Sequence, residues 1–246
     1  MAFTPTPCVR LLVEAGVAEV ILSRPERKNA IDGPLGRDLT TALQAANADP
    51  DVRVILLRGE GGAFCSGLDL NAFNADPLPE WVPHFPTLWR GAHRALYECG
   101  KPIVCALERF AINGGAALAL AADVLFVGET AWLQVGEARL GMAAPYNLAW
   151  ATLRLPESVI ARLVFMADRI PGPELYRLGI AHRVVADTEV VTVARTSCLE
   201  LASWPAGGLT RIKSGMRARL DHGADAWFDR FTGQNPTPVR PPPPSR

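Results

Sequence analysis

Residues 101–128 read KPIVCALERFAINGGAALALAADVLFVG. KPIVCALE (101–108) has the length and continuous apolar character of an interior strand. Asn113, Gly114 and Gly115 then open a run of alanines and leucines with helical character that ends at Asp123. DVLFVG (123–128) is a second apolar strand. The order strand, glycine turn, helix, strand predicts a right-handed crossover and parallel pairing. A glycine turn ahead of a helix also presents free backbone N–H groups and the positive end of the helix dipole, which suits a negative ligand. No residue from Gly114 to Ala122 carries a carboxylate, imidazole, hydroxyl or thiol, so a reacting side chain must come from elsewhere.

The same pattern occurs upstream. VRVILLRG (52–59) is an apolar strand, and GEGGAFCSGLDL (59–70) is a glycine turn leading into a short helix. Before it, CVRLLV (8–13) and VAEVILS (17–23) flank Gly16 as a hairpin, and RPERKNAIDG (24–33) is a charged loop. Leu35, Leu39, Leu43 and Ala46 recur at helical spacing from Pro34 to Ala48, and Asp49-Pro50 stops that helix. Pro77, Pro79, Pro83 and Pro86 mark 75–86 as a mobile loop, with a helix following over 86–99. Past residue 145 the chain turns mainly helical, and NPTPVRPPPPSR (235–246) reads as an extended or disordered tail. The expected class is α/β.

Composition narrows the function. The 25 basic residues balance the 25 acidic ones and are not clustered, so nothing favours nucleic acid or an anionic membrane. Five scattered cysteines, with no CxxC and no histidine at ligand spacing, argue against a disulfide framework and against a metal site. No secretory leader is visible at the start, and the most apolar window, around 111–127, is too short and polar for a membrane span. The expectation is a cytoplasmic protein.

Neither glycine turn matches GxGxxG or GxxxxGK[ST], which disfavours dinucleotide and P-loop readings. Each turn taken alone also reads as tight helix–strand packing. Two such turns from neighbouring strands can place two N–H donors about one oxygen, the requirement for stabilising an oxyanion.

The chain resembles the enoyl-CoA hydratase/isomerase (crotonase) superfamily. The residues that carry this are RPERKNAI (24–31), AFCSGLDL (63–70), 101–127, LQVGEARLGM (133–142) and PGPELYRLGIAHRVV (171–185), within a match from about 9 to 220. The resemblance implies a crotonase-like ββα spiral with two near-perpendicular sheets over 1–185. It also implies a C-terminal helical region (186–234) that packs on neighbours in a homotrimer or dimer of trimers. The implied ligand is an acyl-CoA thioester, with coenzyme A as part of the substrate and no separate cofactor. By position, the N–H groups of Leu68, just after Gly67, and of Gly114, followed by Gly115, would grip the thioester oxygen. The coenzyme A moiety would run near Arg27, Lys28, Ala30, Ala63, Ser66, Asp69 and Leu70. Asp69 equally reads as a carboxylate capping a helix N-terminus.

Hydratases of this family carry two glutamates. The position of the first, three residues after the second oxyanion glycine, is Ala117 here, and the second is present as Glu137. Apolar Trp132, Leu133, Val135 and Leu140 around Glu137 would desolvate it and raise its pKa, which suits proton transfer. One base can pick up and redeposit a proton along an acyl chain, whereas hydration is served better by two. The resemblance therefore implies an isomerase-like reaction on Glu137. Two other readings follow from the missing acid: a non-catalytic acyl-CoA-binding protein, and a decarboxylase or C–C lyase that needs the oxyanion hole more than a base. The tract GMAAPYNL (141–148) lacks the glycine-rich run of many hydratases, and no acid stands near Pro145, as a dienoyl-CoA isomerase would need. His84 and His93 read as surface residues bordering the acyl pocket, and His182 and His222 as structural or exposed. Trp81 and Trp89 fit either the acyl tunnel or core packing. Cys65 and Ser66 have no histidine partner at a nucleophile-like spacing.

Overall fold

The computed structural model describes residues 7–218, 220 and 222–232. Strands β1 (Val9–Glu14) and β2 (Val17–Leu22) form the expected antiparallel hairpin. Helix α1 (Gly33–Ala48) starts where Asp32 accepts the Leu35 N–H at 2.8 Å, and it buries Leu35, Leu39, Leu43 and Ala46. Such a cap contributes about 1 kcal/mol. β3 (Val54–Gly59), the short α2 (Leu70–Phe73) and α3 (Phe85–Glu98) follow. Then come β4 (Ile103–Leu107), β5 (Phe110–Ile112), α4 (Gly114–Ala121), β6 (Val124–Gly128) and β7 (Trp132–Gln134). The remainder is α5 (Pro145–Thr152), α6 (Glu157–Ala161), β8 (Ile170–Pro171), α7 (Gly172–Arg177), β9 (Arg183–Val185), α8 (Val190–Ser203), α9 (Gly208–Arg217) and α10 (Ala224–Thr232).

Among the described residues, the larger sheet has the order β1-β2-β3-β4-β6-β9, and every pairing after the hairpin is parallel. A second sheet has the order β5-β7-β8. β4 then β5, and β6 then β7, each send one strand to the large sheet and the next to the small one. A bridge from Cys65 to Ala111 adds the turn after β3 to the small sheet's edge. This is the ββα spiral that the resemblance implies. The small sheet was not visible as strands in the sequence because its members are two or three residues long.

The main apolar core lies between the large sheet and α1, α3, α4 and α5, with Leu22, Ile31, Phe64 and Trp150 fully buried. A second cluster forms on the opposite face, where α8 lays Val190, Ala194 and Cys198 over Val54, Leu56 and Val104. The 75–86 segment is less loop-like than expected. Val82–His84 is a 3-10 turn, and Trp81 packs edge-on against Phe73 with ring centroids 4.9 Å apart. The proline-rich 235–246 lies outside the described residues.

Candidate active site

The two glycine turns stand side by side. The Cys65 N–H donates to Phe110 O at 3.1 Å, and the Ile112 N–H donates to Cys65 O at 3.1 Å. Gly67 has φ +86°, a conformation that favours glycine, and it carries the chain past Ile112 O. A Cβ on Gly115 would lie 2.7 Å from Cys65 O, so only glycine permits this approach. No acceptor among the described residues takes the N–H of Leu68 or of Gly114, the first residue of α4. Both residues line one cavity of about 640 Å³.

Glu137 lines the same cavity. It begins a 3-10 turn, Glu137–Leu140, that follows β7, and it is 8% exposed. Its Oε1 accepts from Asn147 Nδ2 at 2.8 Å, while Oε2 is buried with no partner. Burial pushes its pKa up to about 7, partly offset by its own amide and by Asn147. Ala117 is fully buried within α4, so no second carboxylate enters from that helix. Phe85, Trp89 and Tyr146 line the cavity beyond these polar groups.

The loops expected to meet coenzyme A are brought together. The Ser66 N–H donates to Lys28 O at 3.1 Å, and Ala63 O accepts from Asn29 Nδ2 at 2.8 Å. Arg27 and Lys28 are exposed, and Ala30 and Ala63 are buried, so these alanines offer backbone only. Ser66 and Leu70 line the cavity. The Asp69 carboxylate is engaged inside the protein: it caps α2 through the Ala72 N–H at 3.2 Å and pairs with Arg24 at 3.0 Å. Arg24 also meets Asp32 at 3.1 Å, and so ties this loop to α1.

His93 departs from its expected surface position. It is fully buried, accepts from Trp150 Nε1 at 2.9 Å and stacks on Tyr146 with ring centroids 4.1 Å apart. Burial alone pulls its pKa down to about 3. Its signal was present in the sequence: Phe85, Trp89, Ala92, His93 and Leu96 occupy one helical face. His84 is exposed, Trp89 lines the cavity and Trp81 packs in the aromatic cluster beside it. The Cys65 thiol is fully buried and pushed up to about 12, which makes it a poor nucleophile.

Two polar residues at the site escaped sequence reasoning. Asn113 accepts the Gly136 N–H on Oδ1 at 2.7 Å and has φ +51°. Asn147, 2% exposed on α5, donates both to Glu137 and to Asn113 O, the latter at 3.1 Å. Among the described residues no group of three histidine, cysteine, aspartate or glutamate side chains could hold a metal, and no helix is long and apolar enough to cross a membrane.

Known proteins share this architecture. A profile of the enoyl-CoA hydratase/isomerase family matches residues 13–229. A 1,2-epoxyphenylacetyl-CoA isomerase of Escherichia coli is 28% identical, over 88% of this chain and 84% of that protein. A carnitinyl-CoA dehydratase of Proteus mirabilis is 30% identical, over 85% of this chain and 80% of its own length. An enoyl-CoA hydratase/isomerase structure from Mycobacterium paratuberculosis superposes with a TM-score of 0.83, over 95% of this chain and 94% of that one. At 20% identity, that likeness supports the fold alone. With the family profile spanning both glycine turns and the Glu137 turn, the chain belongs to the enoyl-CoA hydratase/isomerase family of acyl-CoA-processing enzymes.

Proposed function

We propose that this protein isomerises an unsaturated acyl-CoA thioester with Glu137 as its sole proton carrier. The carrying observation is one cavity lined by two unpaired amides, Leu68 and Gly114, and by one buried carboxyl. The thioester oxygen accepts both N–H groups. Such donors are each worth about 3–4 kcal/mol in a transition state. For a 3-enoyl thioester, Glu137 Oε2 removes an α-proton and the electron pair moves onto the thioester oxygen. The same proton returns at the γ-carbon, and the double bond shifts from β,γ to α,β. A carboxyl with a pKa near 7 can both take and release a proton at neutral pH. The absence of a carboxylate at buried Ala117 favours this over hydration, which orients a water as well.

The test is wild type and Glu137→Gln assayed on a panel of 2-enoyl, 3-enoyl, β-hydroxyacyl and malonyl-type CoA thioesters. Double-bond migration that Glu137→Gln abolishes supports the reading. Equal activity in both proteins overturns it. Tight thioester binding with no turnover supports the second reading, an acyl-CoA-binding protein, which Ala117 also favours. Release of CO2 from the malonyl-type thioester would point to decarboxylation.

A further inference from the structure

Glu137 hangs in a small polar frame built by two asparagines. Asn147 Nδ2 donates to Oε1 of Glu137 at 2.8 Å and to the carbonyl of Asn113 at 3.1 Å. Asn113 in turn accepts the Gly136 N–H, immediately before Glu137, at 2.7 Å. The carbonyl of Asn113 also accepts the Ala117 N–H at 3.0 Å, so the same peptide unit starts α4. One amide side chain thus touches both the carboxyl and the residue that precedes Gly114.

We propose that Asn147 is a positioning residue: it holds Glu137 by Oε1, leaves Oε2 as the atom that exchanges the proton, and fixes the carboxyl relative to the Gly114 amide. The proton transfer rests on the isomerase reading, but the geometry of the pair stands without it. A carboxylate free to rotate would present either oxygen, and misplacement of about 1 Å costs about 100-fold in rate. Asn147 removes that freedom. It also favours the ionised form, because an N–H donor stabilises a carboxylate more than a carboxylic acid.

Other charged groups nearby do not take over this task. Arg139, on the same turn as Glu137, reaches Met166 O at 3.1 Å, and Arg162 on the adjoining turn binds Glu174. Tyr146, beside Asn147 on α5, is pushed up to about 12 by burial and stays neutral. Arg90 on α3 is held by Asp229 and Asp225. α4 carries no titratable side chain.

The experiment is pH-difference infrared spectroscopy, with the Glu137 carboxyl band assigned by its loss in Glu137→Gln. Wild type should titrate at about 7. In Asn147→Ala the midpoint should rise by about one pH unit, the size of a hydrogen bond to a charged group. A merely structural role predicts no such rise. Loosened packing admits water, which stabilises the carboxylate and leaves the midpoint unchanged or lower, and either result overturns the proposal. Asn147→Ser, smaller but able to donate, should return part of the shift; if it behaves as Asn147→Ala and both melt far below wild type, the role is structural and the proposal falls. On an active thioester, kcat in Asn147→Ala should fall at least about tenfold, with KM nearly unchanged. The infrared readout needs no turnover. A shifted midpoint in a protein whose Glu137→Gln variant remains active would overturn the isomerase reading and leave the Asn147 pair standing.

Discussion

The Gly136 N–H donates to Asn113 Oδ1 at 2.7 Å, which suspends the Glu137 turn from the residue that opens α4. Asn113 holds an uncommon backbone conformation, φ +51° and ψ −111°, and its own N–H donates to Gln134 O at 2.8 Å. With ψ at −111° Asn113 lies outside the left-handed helical region where asparagine is most at home, in a region that glycine enters most readily. The link between carboxyl and glycine turn is thus made of one side chain and one strained main-chain unit.

Asn113→Gly separates those two contributions. Glycine keeps the conformation and loses the Oδ1 acceptor; Asn113→Ala loses both. Each variant leaves the Gly136 amide without its partner, a cost of about 1–3 kcal/mol if no water replaces it. Both should lose turnover, and Asn113→Ala should melt lower than Asn113→Gly. Thermal melts and kcat on the same thioester check this. Equal melting temperatures would mean that the backbone at 113 carries no strain.

Glu137 should make the protein's stability fall as pH rises from 4.5 to about 7. Its folded pKa, about 7, lies above the ordinary glutamate value of 4.5. A group raised in this way contributes fully below the unfolded value and loses its contribution as pH rises through the folded one. Glu137→Gln removes the cost of charging. It should therefore be more stable than wild type at pH 8 by about 3 kcal/mol relative to their difference at pH 4. Urea unfolding at the two pH values measures it. In catalysis the same group gives kcat/KM that rises with pH to a plateau above about 7, because the base must be ionised.

The glycine turns of the candidate site were legible in the sequence, and most of the side chains around them were not. Gly67 and Gly115 announce themselves because only glycine fits their turns, and LQVGE points to Glu137 through the family resemblance. Asn147 carries no local pattern. Its partner lies ten positions earlier, across a 3-10 turn, and a lone asparagine on a helix reads as any polar residue. The small sheet was hidden for a different reason: Phe110–Ile112 and Trp132–Gln134 are too short to show alternation. His93 reads as a surface residue from its imidazole and its nearness to a proline-rich loop, but its helical spacing puts it on the apolar face of α3.

His93 should govern the acid side. Its folded pKa, about 3, lies below the ordinary value of 6.5. Stability carried by the neutral ring is present above the unfolded pKa and is lost as pH falls from 6.5 towards 3. Replacement by phenylalanine keeps the stack with Tyr146 and forfeits the bond from Trp150 Nε1. His93→Phe should be less stable than wild type at pH 7 by about 1–3 kcal/mol for the unpaired indole, and should close that gap on acidification. Melting curves from pH 7 to pH 4 test it. A gap that stays constant would show that His93 is not the group that charges.

Gly115→Ala tests the joint between the two turns. The new Cβ would stand 2.7 Å from Cys65 O and 2.8 Å from Cys65 Cβ. The first contact is with backbone that also bonds the Ile112 N–H, so relief requires moving one turn away from the other. Overpacking of this kind costs about 1–3 kcal/mol. It also separates the Leu68 amide from the Gly114 amide, and a donor pair set for one oxygen loses its value when spread. Gly115→Ala should therefore lose turnover by about 100-fold while it still binds a saturated acyl-CoA. Calorimetry with the saturated thioester, beside kcat on the unsaturated one, distinguishes the outcomes. Parallel loss of both would place Gly115 in general packing. Retention of both would mean that the two amides do not act on one oxygen.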